Sequence, residues 1–112
     1  MSEDISVKPK TILIYLLLIL STTACLPVKN ELFLKGIESY DDEQYRTAIT
    51  YFDDAIKDEP GNSELYYYRA KAKMQLDSCK DAIDDYSRAI TLDKTKVDYF
   101  INRGLAYISC QE

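Results

Sequence analysis

The sequence contains no histidine and only three glycines among its 112 residues. Without histidine, the chain lacks the commonest general base, the usual partner of a nucleophilic serine or cysteine, and the favoured ligand of transition metals. Three glycines do not form a glycine-rich phosphate-binding loop, and each is explained by a turn or by close packing. The sequence therefore predicts that the protein is not an enzyme and has no catalytic residues, no metal site and no cofactor.

Basic residues are also in the minority. The 14 lysines and arginines face 19 acidic residues, which gives a formal net charge of −5. An acidic surface argues against nucleic acid as a partner and against a polybasic membrane patch. The adjacent pairs Asp53-Asp54 and Asp84-Asp85 cannot converge on one metal ion, because neighbouring residues on a helix point about 100° apart. We expect both pairs to lie on a solvated outer face.

A nine-residue phrase occurs twice in the chain, with its copies 34 residues apart. The copies are Ala48-Ile49-x-x-Phe52-x-x-Ala55-Ile56 and Ala82-Ile83-x-x-Tyr86-x-x-Ala89-Ile90. A period of about 20–50 residues is typical of a solenoid of stacked helical units. Small residues recur in the same register, at Gly36, Ala70 and Gly104, where two antiparallel helices would approach closely. No segment has a strand pattern, so the sequence predicts an all-α protein.

These positions resemble the tetratricopeptide repeat (TPR) family. The matching residues of the first unit are Leu32, Gly36, Tyr40, Tyr45, Ala48, Phe52, Ala55 and Pro60. Those of the second are Tyr66, Ala70, Ala82, Tyr86 and Ala89, with departures at Cys79 and Lys94. The resemblance implies a solenoid of helical hairpins with two full repeats, 29–62 and 63–96, and one extra helix in 97–112, the first helix of an incomplete third repeat. Five helices are expected, with capping-box-like starts at Ser78 and Thr95.

Residues 1–24 are a different kind of sequence. Lys8 and Lys10 precede ten largely apolar residues, and small residues follow up to Cys25. This order predicts a secretory signal peptide. It also resembles the lipobox of bacterial lipoproteins, which implies lipid attachment at Cys25 and a lipid-anchored tether over 25–28. The alternative is an uncleaved anchor, because residues 11–28 are just long enough to cross a bilayer. In either case the lysines predict membrane-anchored repeats outside the cytoplasm, on the periplasmic side of the cell envelope.

Two further cysteines, Cys79 and Cys110, fall at the same edge of the stack in the repeat frame. In a compartment that permits disulfides they would close a loop of about 30 residues, worth about 3 kcal/mol. The alternative is two small buried hydrophobic residues.

In the TPR family the first helices of the repeats line a concave groove that binds a partner. Transfer of those positions implies a partner-binding groove formed by Phe33, Ile37, Tyr40, Tyr67, Lys71, Met74, Ile101 and Leu105. The lysines and asparagines with which some members grip the carboxylate tail of heat-shock chaperones are replaced here by Phe33, Ile37, Tyr68, Asp98 and Asn102. We expect a protein or peptide ligand, either an apolar helix or a hydrophobic extended segment. The alternative is that several of these residues, Ile37 and Met74 especially, belong to the core.

The last helix, from Val97 to Cys110, is apolar on nearly every side, although a terminal helix of a solenoid should have a polar outer face. Either the chain is a truncated member of a longer array, or a second copy or a partner covers this helix. Two functions follow. The first is a membrane-tethered scaffold or adaptor for protein–protein interaction in the bacterial cell envelope. The second is a truncated or purely structural remnant that self-associates through its last helix.

Overall fold

The structure is a computed structural model that describes residues 8–23 and 30–111. Within these ranges the protein is all-α, as expected, and has no strand. The helices are α1 (Pro9–Thr23), α2 (Glu31–Asp41), α3 (Tyr45–Asp58), α4 (Ser63–Gln75), α5 (Cys79–Leu92) and α6 (Val97–Ser109). Helices α2 to α6 are the five that the sequence predicts, and α1 is an addition within the N-terminal segment. Cys25 and the tether 25–28 lie outside the described residues.

Helices α2 to α6 form two hairpins and a final single helix. Helix α2 packs on α3 and α4 packs on α5, while α3–α4 and α5–α6 contacts join the units. Each hairpin turns through a non-glycine residue in the left-handed region, Glu43 with φ 61° and Asp77 with φ 56°. These residues are 34 positions apart, so the period of the sequence is also the period of the backbone.

Asparagine side chains cap the first helix of each hairpin. The Asn30 side chain accepts a hydrogen bond from the Leu32 N–H, and the Asn62 side chain accepts one from the Glu64 N–H. The two predicted capping boxes do not form. Ser78 is the N-cap of α5 but makes no side-chain cap hydrogen bond. The N-cap of α6 is Lys96, because the Thr95 N–H and hydroxyl both bond to the Asp93 carboxylate.

The first hairpin is packed around Phe52, whose side chain is fully buried. A Cβ atom added to Gly36 would lie 2.5 Å from the Phe52 ring, so this close contact requires a glycine. The rings of Phe33 and Tyr68 lie 6.2 Å from the Phe52 ring, centroid to centroid. Phe33 is only 8% exposed, which corrects its assignment to the partner-binding groove. It fills the core between α2, α3 and α4.

The second hairpin repeats this arrangement with different residues. Tyr86 occupies the position of Phe52 and is 2% exposed, and Ala70 occupies the position of Gly36 and is fully buried. Ala82 and Ala106 complete this cluster, so that α4, α5 and α6 share one core. The large-and-small alternation of the sequence therefore becomes a continuous core along the stack.

Charged side chains link α3, α4 and α5. Asp85 accepts two hydrogen bonds from Arg69, at 2.8 and 2.7 Å, and one from Lys73 at 2.7 Å. Arg69 also donates to Asp53 at 2.8 Å. Asp85 is only 6% exposed, which corrects the expectation that both residues of the Asp84-Asp85 pair lie on a solvated face. Burial alone would lower the pKa of Arg69, but the hydrogen bonds and negative charge of Asp85 outweigh burial and raise it.

A disulfide attaches α6 to the start of α5. It joins Cys79 to Cys110, with their Cα atoms 5.8 Å apart. Tyr99 and Ala106, on the same side of α6 as Cys110, are buried against the stack. Gly104 contrasts with Gly36, because a Cβ atom added to it would meet nothing within 4 Å.

Helix α1 is apolar and its described side chains are open to solvent. The residues from Ile12 to Leu18 are between 48% and 62% exposed. Its length is 15 residues. In the described part of the chain, no helix combines the length and the apolar character needed to span a bilayer.

Candidate partner-binding groove

The first helices of the units, α2, α4 and α6, lie side by side and form a groove. One depression in it is an open pocket of about 150 Å³. Residues of all three helices line it, together with one from α5: Tyr40, Lys71, Met74, Gln75, Tyr86, Asn102, Leu105, Ala106 and Ser109. The repeat explains this convergence, since equivalent positions of successive first helices point into the same concave surface.

Lys71 is the cation at the centre of this groove. Its ammonium lies 5.1 Å from the ring centroid of Tyr40, 5.4 Å from that of Tyr68 and 5.7 Å from that of Tyr67. Such contacts are worth about 0.5–2 kcal/mol, depending on how far the cation is desolvated. Within the described residues, Lys71 forms no ion pair with a carboxylate, whereas Lys73, two positions later, is paired with Asp85. At Lys71 the groove therefore presents a positive charge that has no ion-pair partner in the part of the chain that the structure describes.

A second, smaller depression lies at the other end of the groove. Its volume is about 130 Å³, and it is lined by Glu64, Tyr67, Tyr68, Lys96, Asp98 and Tyr99. The Tyr67 and Tyr99 rings stack here with their centroids 4.7 Å apart. Tyr67 also accepts a hydrogen bond from the Asn102 side chain, which ties α4 to α6. Two acidic residues and Lys96 thus lie at this end of the groove, and Lys71 lies in the other pocket.

The hydroxyls of Tyr40, Tyr67 and Tyr86 stay protonated near neutral pH. Burial raises the pKa of Tyr40 and of Tyr86 above the ordinary value. Burial and the charge of Asp98 both raise the pKa of Tyr67. These phenols are therefore neutral hydrogen-bonding groups, and they leave Lys71 as the charged group of the pocket.

The structure brings half of the predicted groove residues together in the larger pocket: Tyr40, Lys71, Met74 and Leu105. Tyr67 lines the smaller one. Ile37 is half-buried and packs against the core, in which Phe33 is buried. Ile101 is 53% exposed and lines neither pocket. Tyr86 also lines the larger pocket, but the sequence analysis did not include it among the groove residues. Phe52, at the equivalent position of the first unit, has no hydroxyl. The hydroxyl of Tyr86 is the sequence feature that could have indicated that this residue also lines the pocket.

No protein-family model matches the chain. One solved structure, the Arabidopsis OM64 TPR domain, superposes with a TM-score of 0.68 at 31% identity over 70% of this chain and 64% of that one. The fold is that of a TPR domain. The prediction of a TPR-type solenoid of helical hairpins, with two full repeats and one extra helix, is thus confirmed for α2 to α6.

The curated relatives are longer proteins that contain a similar stretch. The rice protein SGT1 homolog is 29% identical over 83 residues, which cover 74% of this chain and 23% of that protein. Translocon at the outer membrane of chloroplasts 64, from pea, is 38% identical over 63 residues, 56% of this chain and 11% of that protein. Mouse DnaJ homolog subfamily C member 7 is 26% identical over 98 residues, 80% of this chain and 20% of that protein. The chain spans less than a quarter of each.

Proposed function

We propose that the protein is an interaction module whose TPR groove binds a segment of another protein. The single observation that supports this most is Lys71, held over three tyrosine rings in an open pocket with no carboxylate partner among the described residues. Groups able to position a ligand surround it, since Asn102 and Gln75 offer amides and Met74 and Leu105 offer apolar surface. A few convergent polar groups within an apolar pocket are typical of a binding site.

The chemistry of the pocket specifies the ligand further. An acidic group beside Lys71 would gain a charge-assisted hydrogen bond, and a large apolar side chain next to it would cover Met74 and Leu105. We therefore propose an extended or helical peptide segment in which a carboxylate and a large apolar side chain are neighbours. The groove positions at which other TPR domains grip a terminal carboxylate differ here, since the rings of Phe33 and Tyr68 pack against each other at 5.6 Å.

The test is a peptide-display selection on the full chain, followed by affinity measurement on the peptides recovered. We expect these peptides to be enriched in Asp or Glu beside Leu, Phe or Met. Lys71→Met should weaken their binding by about 10-fold or more, because a hydrogen bond to a charged group is worth about 1.5–3 kcal/mol.

Lys80→Met is the matched control for this test. The Lys80 side chain is 89% exposed, and this residue does not line the pocket that contains Lys71. Its replacement should therefore leave the affinity unchanged. Thermal unfolding of both variants checks that the fold is kept. Peptides without an acidic residue, or equal binding by Lys71→Met and wild type, would contradict the proposal. Phe33 is unsuitable for such a test, because a charge at this buried position would unfold the domain.

We further propose that the N-terminal segment tethers the module to a membrane, with the repeats on the periplasmic side of a cell envelope. The support is the order of Lys8 and Lys10, the apolar helix α1 and the small residues before Cys25. The similar proteins named above come from rice, pea and mouse, and this proposal takes no support from them.

Intact mass and phase partitioning separate the two forms of this tether. A lipidated protein would begin at Cys25, would carry the mass of acyl chains and would enter the detergent phase, and Cys25→Ser would lose all three properties. If the segment is an uncleaved anchor, wild type and Cys25→Ser would both keep the full-length mass, and both would enter the detergent phase. A full-length chain that stays in the aqueous phase would overturn the tether altogether.

A further inference from the structure

One face of α6 is apolar, and no other helix of the described structure covers it, although the Arg103 guanidinium lies 5.9 Å from the ring centroid of Phe100 at its edge. It consists of Val97, Phe100, Ile101, Gly104, Tyr107 and Ile108, which we call the α6 stripe. At about 100° per residue, all of these lie within about 60° of Gly104 around the helix axis. The residues that contact the stack, Tyr99, Asn102 and Ala106, lie on the opposite side.

The α6 stripe corresponds to a face that is buried in the first unit. Gly36 occupies the same repeat position as Gly104, and it packs directly against the ring of Phe52. Above Gly104, by contrast, there is open space to at least 4 Å. The five larger side chains of the stripe are between 44% and 68% exposed. Together these exposed apolar side chains form a contiguous patch of the kind that marks an interaction site.

On each side of Gly104 the stripe has one aromatic and one aliphatic residue, and their order going outward is opposite on the two sides. Three and four positions before it are Ile101 and Phe100, and three and four positions after it are Tyr107 and Ile108. If two such helices cross in antiparallel fashion at Gly104, Phe100 of each copy meets Ile108 of the other, and Ile101 meets Tyr107. Each aromatic ring then faces an aliphatic side chain, and the glycines allow the two backbones to approach.

We infer that the α6 stripe binds the same stripe of a second copy, forming a two-fold dimer with its axis at Gly104. A two-fold interface requires a surface that is complementary to itself, which the order of these residues provides. No charged residue lies in the stripe, since Asp98 and Arg103 fall on the flanking sides of the helix. The five side chains expose roughly 500 Å² in each copy, so two copies would bury roughly 1,000 Å², at the lower end of specific interfaces.

This interface is separate from the ligand groove. Leu105 and Ser109 face the pocket that contains Lys71, and the stripe lies on a different side of α6. The disulfide between Cys79 and Cys110 fixes α6 on α5, so the stripe is held rigidly while its outer side stays open. A dimer would therefore present two grooves at once, which increases the apparent affinity for a ligand with two copies of the recognised segment.

Sedimentation velocity of the full chain in a mild non-ionic detergent tests the dimer. We expect wild type to be dimeric at tens of micromolar. Gly104→Arg should weaken the dimer by at least about 100-fold, because the two-fold axis brings the two arginines against each other and like charges in an interface cost several kcal/mol. The Gly104→Arg monomer should fold normally, since nothing lies close to that position.

Gly61→Arg is the matched control. Gly61 also has open space around its Cα, and it lies in the turn between α3 and α4. This variant should dimerise like wild type. A wild-type protein that stays monomeric at 100 µM would overturn the inference, and so would a dimer that Gly104→Arg leaves intact, because the apolar helix α1 would then be the cause of association.

A cross-link checks the position of the axis. In a Cys25→Ser background, Gly104→Cys places one new thiol at the crossing point in each copy. We expect this variant to oxidise to a covalent dimer much faster than a Gly61→Cys control. Equal rates for the two variants would exclude a crossing at Gly104.

Discussion

Replacing Asp85 with alanine is expected to lower the free energy of unfolding by about 3 kcal/mol, because it leaves two largely buried cations without their carboxylate. Arg69 and Lys73 have side chains that are only 18% and 19% exposed, and both depend on Asp85. Their partial exposure lets water reach them after the change, which keeps the loss near the lower end of the range for broken buried ion pairs. Urea denaturation followed by circular dichroism measures the effect.

Asp53→Ala is the matched control, since Asp53 also accepts a hydrogen bond from Arg69 but has a side chain that is 49% exposed. We expect a loss below about 1 kcal/mol, as for other exposed ion pairs. Similar losses in the two variants would show that burial of Asp85 does not govern the stability of this cluster. A small domain has only about 5–15 kcal/mol in total, so a loss of about 3 kcal/mol is easily measured.

The same substitution, glycine to alanine, is expected to have opposite effects at two equivalent repeat positions. At Gly36 the new methyl group would lie 2.5 to 2.9 Å from three atoms of the Phe52 ring, which is fully buried and cannot retreat. We expect Gly36→Ala to destabilise the domain by about 1–3 kcal/mol through overpacking. At Gly104 the methyl group meets nothing, so Gly104→Ala should stabilise α6 by up to about 1 kcal/mol through helix propensity.

Both glycine variants should be compared at a concentration below that at which self-association is detected, so that the measurement reports on the fold alone. Thermal unfolding at this concentration gives the sign directly. If Gly104→Ala destabilised the domain as strongly as Gly36→Ala, the face around Gly104 would have to be packed rather than open.

Much of the fold could be predicted from the sequence because the determining features are local and repeated. The small residues and the aromatic residues recur at intervals of 34, so each hairpin supports the assignment of the other. The prediction of two capping boxes was wrong because it was based on only two residues each, a serine or threonine and an aspartate three positions later. So short a pattern also occurs where no capping box forms. At Thr95 the nearby carboxylate of Asp93 competed successfully for its hydrogen bonds.

The features that the sequence did not disclose depend on several helices at once. Asp84 and Asp85 are neighbours and chemically identical, but only Asp85 lies opposite Arg69 and Lys73 of α4. Phe33 was assigned to the groove from its repeat position, and it is buried because Phe52 and Tyr68 enclose it from two other helices. The contact of Lys71 with the Tyr40 ring of α2 likewise follows from the packing of two helices. Its contact with the Tyr68 ring, by contrast, lies within α4 and follows from their spacing of three residues.

The bond between Cys79 and Cys110 has a consequence for how the stack opens. In a stack whose units contact only their neighbours, unfolding begins at the ends, and a final helix that packs on one side is the first to fray. Helix α6 is the last helix of the described residues, and the disulfide attaches its last turn to α5. Asn102, Leu105 and Ser109 therefore remain in place as one wall of the pocket before any ligand arrives. The wall is already ordered when a ligand arrives. Binding therefore does not carry the entropy cost of ordering α6, and the affinity is higher by that amount.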